Sequence, residues 1–416
     1  MAIPVDNDEA ADVLTLHDPA VIARRVLDTR LPADLPVTGA WQPGDPPGRR
    51  QFLYLPSDRG FALEFGGVLH GAQLAYETWG ELNDAADNAV LVCHALTGDA
   101  HAAGLAAHGH GAEGWWDDFI GPGQAVDTDR YFVVCVNVLG GCQGSTGPAS
   151  VDATSGRPYG SAFPVVSVRD VVRSQRRVAD HLGIDRWHSV VGGSMGGMQA
   201  LEWAIMYPDR VRTVVALATT AAASPQQVAW SAVGRLAIVL DPRWRGGDYY
   251  HADPGDGPAA GLAVARQIAQ ITYRTDEVFQ ERFGRSTIDR IGDFGLWGRF
   301  DVESYLDHHG QKLVRRFDAN SYLLLNRLMD LHDVARGRGG VRHALARVTA
   351  PVLVASISSD ALYPPRQQRE LVQALEAVGV RHEYHVVDSP QGHDGFLLEH
   401  AELGPIITDF LGKEPS

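Results

Sequence analysis

Three side chains in this sequence have the types and the order along the chain needed to move an acyl group through a serine ester. Ser194 lies in Gly192-Gly193-Ser194-Met195-Gly196, between an apolar run (Trp187 to Val191) and a helix-forming run (Met198 to Met206). A G-x-S-x-G segment at a strand-to-helix junction is a nucleophile elbow, a turn so tight that glycines are needed two residues before and after the serine. The turn exposes the hydroxyl at the carboxyl end of a sheet with a helix amino terminus behind it. A serine hydroxyl is a poor nucleophile at neutral pH, so it needs a base, and the base needs an orienting carboxylate. Downstream, Asp360 follows the strand-like run Val352 to Ile357, and His393 follows the last strand-like run in Ser389-Pro390-Gln391-Gly392-His393-Asp394-Gly395. The order Ser, Asp, His is the one this kind of elbow uses. The oxyanion hole then combines the amide of Met195 with one from His94-Ala95-Leu96-Thr97-Gly98, where Leu96 is the expected donor.

The elements that must hold these groups can be read from the pattern of apolar runs. Short strand-like runs occur at Gln51-Leu55, Phe61-Phe65 and Gln73-Thr78, and buried-type strands at Ala89-Cys93 and Tyr131-Asn137. Val168 to Leu182 reads as a helix, Trp187 to Val191 as the elbow strand and Val211 to Leu217 as the next strand. Val352 to Ile357 and Glu383 to Val387 read as the last strands, with helices over Pro365 to Ala377 and Phe396 to Phe410. Strands alternating with helices imply a doubly wound, mostly parallel α/β sheet. Between 221 and 346 the alternation stops and helical patterns such as Ala259-Arg274 and Ala319-Leu331 take over. That stretch reads as a helical lid inserted over the carboxyl edge of the sheet, where ligands bind in open α/β folds. Residues 49–220 and 347–416 then form the catalytic domain. Residues 1–48, rich in Asp, Pro and Ala, read as a loosely held acidic tail.

Composition narrows the partners. A net charge of −15 argues against nucleic-acid or anionic-membrane binding. Three cysteines, Cys93, Cys135 and Cys142, fit buried free thiols in a reducing compartment better than a disulfide framework. The first thirty residues do not read as a leader peptide, and no run of about 18 apolar residues is present, so the expected location is the cytoplasm. His101, His108 and His110 beside Glu113 have metal-ligand types, but serine acyl chemistry needs no metal and none is expected. Arg266 and Tyr273 are seven apart, so they share a helix face with Leu262 and Ala269. An inward arginine needs an anion, either a substrate carboxylate or an internal acidic side chain. Asp394 reads either as part of a ligand site or as a cap for the helix near Phe396.

The segments His94 to His101, Asn137 to Cys142 with Gly144 to Pro148, Gly193 to Ala200, Asp360 to Pro364 and Gly392 to Phe396 together resemble the homoserine O-acetyltransferases of the MetX type, within the α/β-hydrolase superfamily. The resemblance runs collinearly from about residue 50 to 412. It implies an α/β-hydrolase fold and a ping-pong transfer of acetyl from acetyl-CoA, as co-substrate with no bound cofactor, to the hydroxyl of L-homoserine in methionine biosynthesis. It further implies that Ser194, Asp360 and His393 are catalytic, that Arg266 holds the amino acid's carboxylate and Asp394 its ammonium, and that the enzyme is a homodimer built through the lid helices. Tyr273, beside Arg266, is counted with the substrate-binding residues. A succinyl donor, L-serine as acceptor, or hydrolysis of esters and thioesters are the alternatives on the same scaffold.

Overall fold

The structure is a computed structural model that describes residues 31–32, 34–107, 109–288 and 298–413. Most of the expected acidic tail, residues 1–30, and His108 lie outside the described residues. The end of that tail is not loosely held: Leu35 and Ala40 are buried, and the Trp41 amide donates to the Cys142 carbonyl at 2.9 Å.

An eight-stranded sheet organises the chain. Its strands are β1 (Gln51–Tyr54), β2 (Gln73–Trp79), β3 (Ala89–Cys93), β4 (Phe132–Val136), β5 (Ser189–Gly193), β6 (Val214–Leu217), β7 (Val352–Ile357) and β8 (His382–Val387). The spatial order is β1-β2-β4-β3-β5-β6-β7-β8. The two pairings made by β2 are antiparallel and every other pairing is parallel. Strands β3, β5, β6 and β7 are buried along their whole length, which suits their near-continuous apolar sequences. Successive side chains serve opposite faces: Leu91 and Val190 join one core, Val92 and Val191 the other.

Register brings the site together. Cys93 pairs with Gly192, Gly193 with Leu217, and Leu217 with Ala355, so the carboxyl ends of β3, β5, β6 and β7 reach one edge nearly level. The loops that carry Leu96, Ser194 and Asp360 therefore open on the same side. β8 runs parallel to β7 and delivers the loop of His393 to that edge.

Helices α1 (Val168–His181) and α2 (Met195–Met206) precede the helical stretch between β6 and β7. A capping box starts α1, with the Ser167 hydroxyl accepting from the Asp170 amide and the Asp170 carboxylate from the Ser167 amide. Between β6 and β7 come α3 (Pro225–Val239), α4 (Ala259–Tyr273), α5 (Asp276–Phe283), α6 (Asp301–Val314), α7 (Ala319–Asp330) and α8 (Val341–Leu345). An isolated antiparallel bridge between Ala222 and Asp333 ties the start of this helical stretch to its return. Helix α9 (Pro365–Ala377) links the last two strands, and α10 (Gly395–Leu398) and α11 (His400–Gly412) follow them.

Several boundaries differ from the sequence expectation, among them Val214 rather than Val211 as the start of β6, and two of the differences bear on the site. The elbow strand ends on Gly192 and Gly193, two residues later than expected, and Trp187 forms only an isolated bridge with Val211. The single helix expected over Phe396 to Phe410 is broken at Glu399, whose backbone turns out of the helical region and whose carboxylate accepts from the Ser389 hydroxyl at 2.5 Å.

Candidate active site

Ser194 has φ 57° and ψ −123°, a combination that L-residues rarely adopt. Its amide donates to Leu217 O at 2.9 Å, and its carbonyl accepts from Thr219 Oγ1 at 2.8 Å. The flanking glycines are steric necessities. A Cβ on Gly192 would lie 2.3 Å from the Gly196 backbone, and one on Gly196 would lie 2.0 Å from Cys93 O. The first clash is across the turn itself and the second is with the neighbouring strand. Hence the elbow forms only where these two positions carry no side chain.

The hydroxyl that this turn presents meets His393. Ser194 Oγ lies 2.9 Å from His393 Nε2, and His393 Nδ1 lies 2.7 Å from Asp360 Oδ2. Each of the three residues is at most 6 % exposed. Because a carboxylate only accepts, Nδ1 carries the proton and Nε2 offers its lone pair to the serine. Asp360 is fixed in turn, with Oδ1 accepting from the amides of Leu362 and Tyr363, both at 2.8 Å. The imidazole is wedged between Tyr363, stacked at 5.0 Å, and Phe396, edge-on at 5.3 Å. The sequence gives Tyr363 no role, yet it stacks on the base and walls the cavity in front of Ser194. Burial pushes its phenol well above the ordinary range, so it stays protonated.

Neither the Leu96 nor the Met195 amide donates to an acceptor among the described residues. Two buried N–H groups without partners, beside a serine nucleophile, are what an oxyanion hole requires before substrate arrives. The loop carrying Leu96 is held by residues that the sequence alone does not mark. His94 Nδ1 donates to Ala95 O at 2.8 Å while its Nε2 accepts from the Val138 amide at 3.0 Å. Burial lowers the pKa of His94, keeping it neutral in that tautomer. Gln199, on α2, donates to His94 O and Met195 O, both at 3.1 Å, and so joins the two segments that carry the candidate donors.

Helix α4 contributes as its periodicity suggests. Leu262 is buried, Ala269 walls the Ser194 cavity, and Tyr273 comes within 5.8 Å of the His393 ring. The Arg266 guanidinium lies over Tyr273, 5.3 Å from the ring centre. Among the described residues no carboxylate pairs with Arg266, which disfavours the internal salt bridge as its reason for pointing inward. Asp394 makes no side-chain capping bond to the helix it precedes. It pairs instead with Arg274, whose Nε is 3.2 Å away. Burial raises the Asp394 pKa, and Arg274 followed by Arg266 opposes that rise. Ser194 opens into a cavity of about 50 Å³ in which Asp330, on α7, is the sole charged wall residue among the described ones. Asp330 is itself paired with Arg235 at 2.6 Å.

The histidines suspected of metal ligation group around a different acid. His101 Nδ1 and His110 Nε2 lie 3.0 and 3.1 Å from the two oxygens of buried Glu77, not against Glu113, and their rings stack at 3.7 Å. Burial works against the Glu77 charge, but the two histidines beside it, His101 through a hydrogen bond, outweigh it and bring its pKa to about 2. Parallel rings aim their lone pairs side by side rather than at one point, which suits a shared carboxylate better than a metal ion.

The alpha/beta hydrolase fold family matches residues 88–400. A homoserine O-acetyltransferase of Thermobifida fusca (strain YX) is 55 % identical over 379 residues, 91 % of this chain and 98 % of that protein. The crystal structure of homoserine O-acetyltransferase from Bacillus anthracis superposes with a TM-score of 0.81 at 29 % identity, covering 88 % of this chain and 98 % of that one. Esterase E22 superposes nearly as well, with a TM-score of 0.79 at 28 % identity over 87 % of this chain and 99 % of its own. With the elbow, the three joined side chains and this degree of identity, the chain belongs to the homoserine O-acetyltransferase family of the α/β-hydrolase fold.

Proposed function

We propose that Ser194 takes acetyl from acetyl-CoA as an ester and passes it to the side-chain hydroxyl of L-homoserine. The observation that carries this is His393 bonded on one side to Ser194 and on the other to Asp360. In the first half-reaction His393 Nε2 removes the serine proton as Oγ attacks the thioester carbonyl, and the amides of Leu96 and Met195 receive the developing oxyanion. The imidazolium, stabilised by Asp360, then protonates the departing thiolate. In the second half-reaction the same nitrogen deprotonates the homoserine hydroxyl, which attacks the acyl-serine, and returns the proton to Ser194.

Arg266 and Asp394 are the pair we assign to the acceptor's carboxylate and ammonium, with Tyr273 between Arg266 and the base. The small cavity, whose charged wall residue Asp330 already engages Arg235, favours acetyl over succinyl, whose second carboxylate would need an uncommitted cation there. Arg366, the nearest sequence candidate for that cation, is instead 57 % exposed and pairs with Glu370 on α9. A hydrolytic reading is favoured by one observation, the likeness to esterase E22. The two differ in which hydroxyl reaches the acyl-enzyme. CoA release that rises steeply with L-homoserine, measured alongside succinyl-CoA and L-serine, supports transfer. Equal release in buffer alone rejects it.

The same reading includes a homodimer and a cytoplasmic location. Helix α3 buries only Gln227, Gly234 and Ile238 and leaves Trp230, Val233 and Leu236 exposed along one face, which Leu240 continues just past its end. Such a stripe fits a second copy of the chain. The three cysteines are free and buried, as suits a reducing compartment, and no described helix is long and apolar enough to cross a membrane.

A further inference from the structure

A second cavity, of about 450 Å³, borders the loop that carries Leu96. Thr97, Gly98 and Asp99, immediately beyond the oxyanion donor, form one wall. Four cations, Arg50, Lys312, Arg315 and Arg316, face two carboxylates, Asp99 and Glu113. This local excess of positive charge stands out in a chain whose net charge is −15.

Little of that charge is cancelled. The Arg50 guanidinium is buried, but among the described residues every acceptor it meets is neutral: the carbonyls of Pro47, Gly109 and Gln143 and the Gln143 side chain. Arg316 donates to Thr97 O at 2.7 Å, while Asp99 is 3.9 Å away, beyond a hydrogen bond. Among the described residues Arg315 pairs only with Asp34, and with Arg315 half-exposed and Asp34 mostly exposed the pair is weak and easily exchanged. Among the described residues Lys312 has no carboxylate partner. Lys312, Arg315 and Arg316 are three and four apart at the end of α6, so they share one face. Cations also suit a helix carboxyl terminus for its dipole alone. That would not account for the open volume beside them, nor for its wall being the oxyanion loop.

We propose that this cleft holds the phosphate-bearing end of the acyl donor, a nucleotide thioester with several phosphates. Lys312 and Arg315 meet the phosphates at the mouth, Arg50 and Arg316 supply the field behind them, and the thioester arm passes the His94–Asp99 loop to reach Ser194. The inference rests on the acyl-transfer reading above and adds the recognition site that reading lacks.

The test compares two donors in the Lys312→Glu, Arg315→Glu double variant: acetyl-CoA and S-acetyl-N-acetylcysteamine, which has no phosphate. The ratio of kcat/KM for acetyl-CoA to that for the short thioester is expected to fall by roughly tenfold or more, mainly through KM. The KM for acetyl-CoA in the unmodified protein should also rise with salt, as an exposed charge attraction must. A ratio that stays within about twofold of the unmodified protein overturns the proposal while leaving acyl transfer intact. Binding of adenosine 3′,5′-bisphosphate, followed by calorimetry, judges the cleft without any chemistry. It should weaken by roughly tenfold in the variant, and unchanged binding counts against the cleft even if Ser194 never acylates.

Discussion

Arg274 lies against Asp394, its Nε 3.2 Å from the carboxylate, so the acid assigned to the acceptor's ammonium already faces a cation in the free protein. The pair is mostly buried, and Arg274 is the leading influence holding down a pKa that burial raises. An ionised Asp394 attracts the ammonium and a protonated one does not, so acceptor binding is present above the Asp394 pKa and lost below it. Removing Arg274 leaves burial less opposed. In Arg274→Met, the acid limb of KM for L-homoserine should therefore move to higher pH. Above that limb, but while the acceptor's amino group is still protonated, KM should fall, because the ammonium no longer shares the carboxylate. Steady-state KM against pH checks both signs, and an unmoved acid limb would show that Arg274 does not tune this acid.

Asp360 fixes the tautomer of His393, which makes Asp360→Asn a sharper test than truncation. The amide keeps the shape, but its NH₂ can turn toward Nδ1 and invite the proton onto Nε2. A drop in acyl-transfer rate on the order of 10⁴-fold is expected, with little change in thermal stability. Ser194→Ala should form no acyl adduct at all when intact mass is measured after acetyl-CoA treatment. An adduct on that variant would place the nucleophile elsewhere.

The triad is legible in the sequence because each member carries a local signal: a glycine-framed turn for Ser194, and loops after late strands for Asp360 and His393. That Arg266 and Tyr273 share one helix face is legible from helical spacing. What stays hidden depends on segments meeting only in the folded chain. Tyr363 stacks on His393 across thirty residues, and no periodicity marks it. The Glu77 carboxylate that gathers His101 and His110 sits in β2, where an acid in a strand reads as an outward residue although this one is fully buried. Sequence pattern ends the elbow strand two residues early because glycine disfavours strands, yet Gly192 and Gly193 are the residues that pair with Cys93 and Leu217.

The same glycines make a stability prediction. A methyl group on Gly196 would lie 2.0 Å from Cys93 O, a backbone atom of a central strand that cannot swing aside. Gly196→Ala should cost about 3 kcal/mol and displace the oxyanion loop, so acylation should fail even in the fraction that folds. Urea unfolding followed by tryptophan fluorescence reads the first effect and acyl-adduct formation the second. A variant with wild-type stability would mean the elbow is more pliable than its close packing suggests.

Trp230 both walls the cavity in front of Ser194 and remains 41 % exposed, so whatever covers α3 also closes one side of the site. If a second copy does so, stability and catalysis become linked to protein concentration. Val233 and Leu236 are 52 % and 53 % exposed on the same face, and neither touches the cavity. Val233→Glu with Leu236→Glu places two charges where the partner's apolar stripe would sit, at a desolvation cost well above the favourable burial of the two aliphatic side chains they replace. Light scattering after size exclusion should then report a monomer for the variant and a dimer for the unmodified chain. The variant's activity should drop as well, because Trp230 would lose its cover and water would gain access to the acyl-serine. A variant that stays dimeric would move the interface off α3, and a monomeric variant with full activity would show that the site closes without a partner.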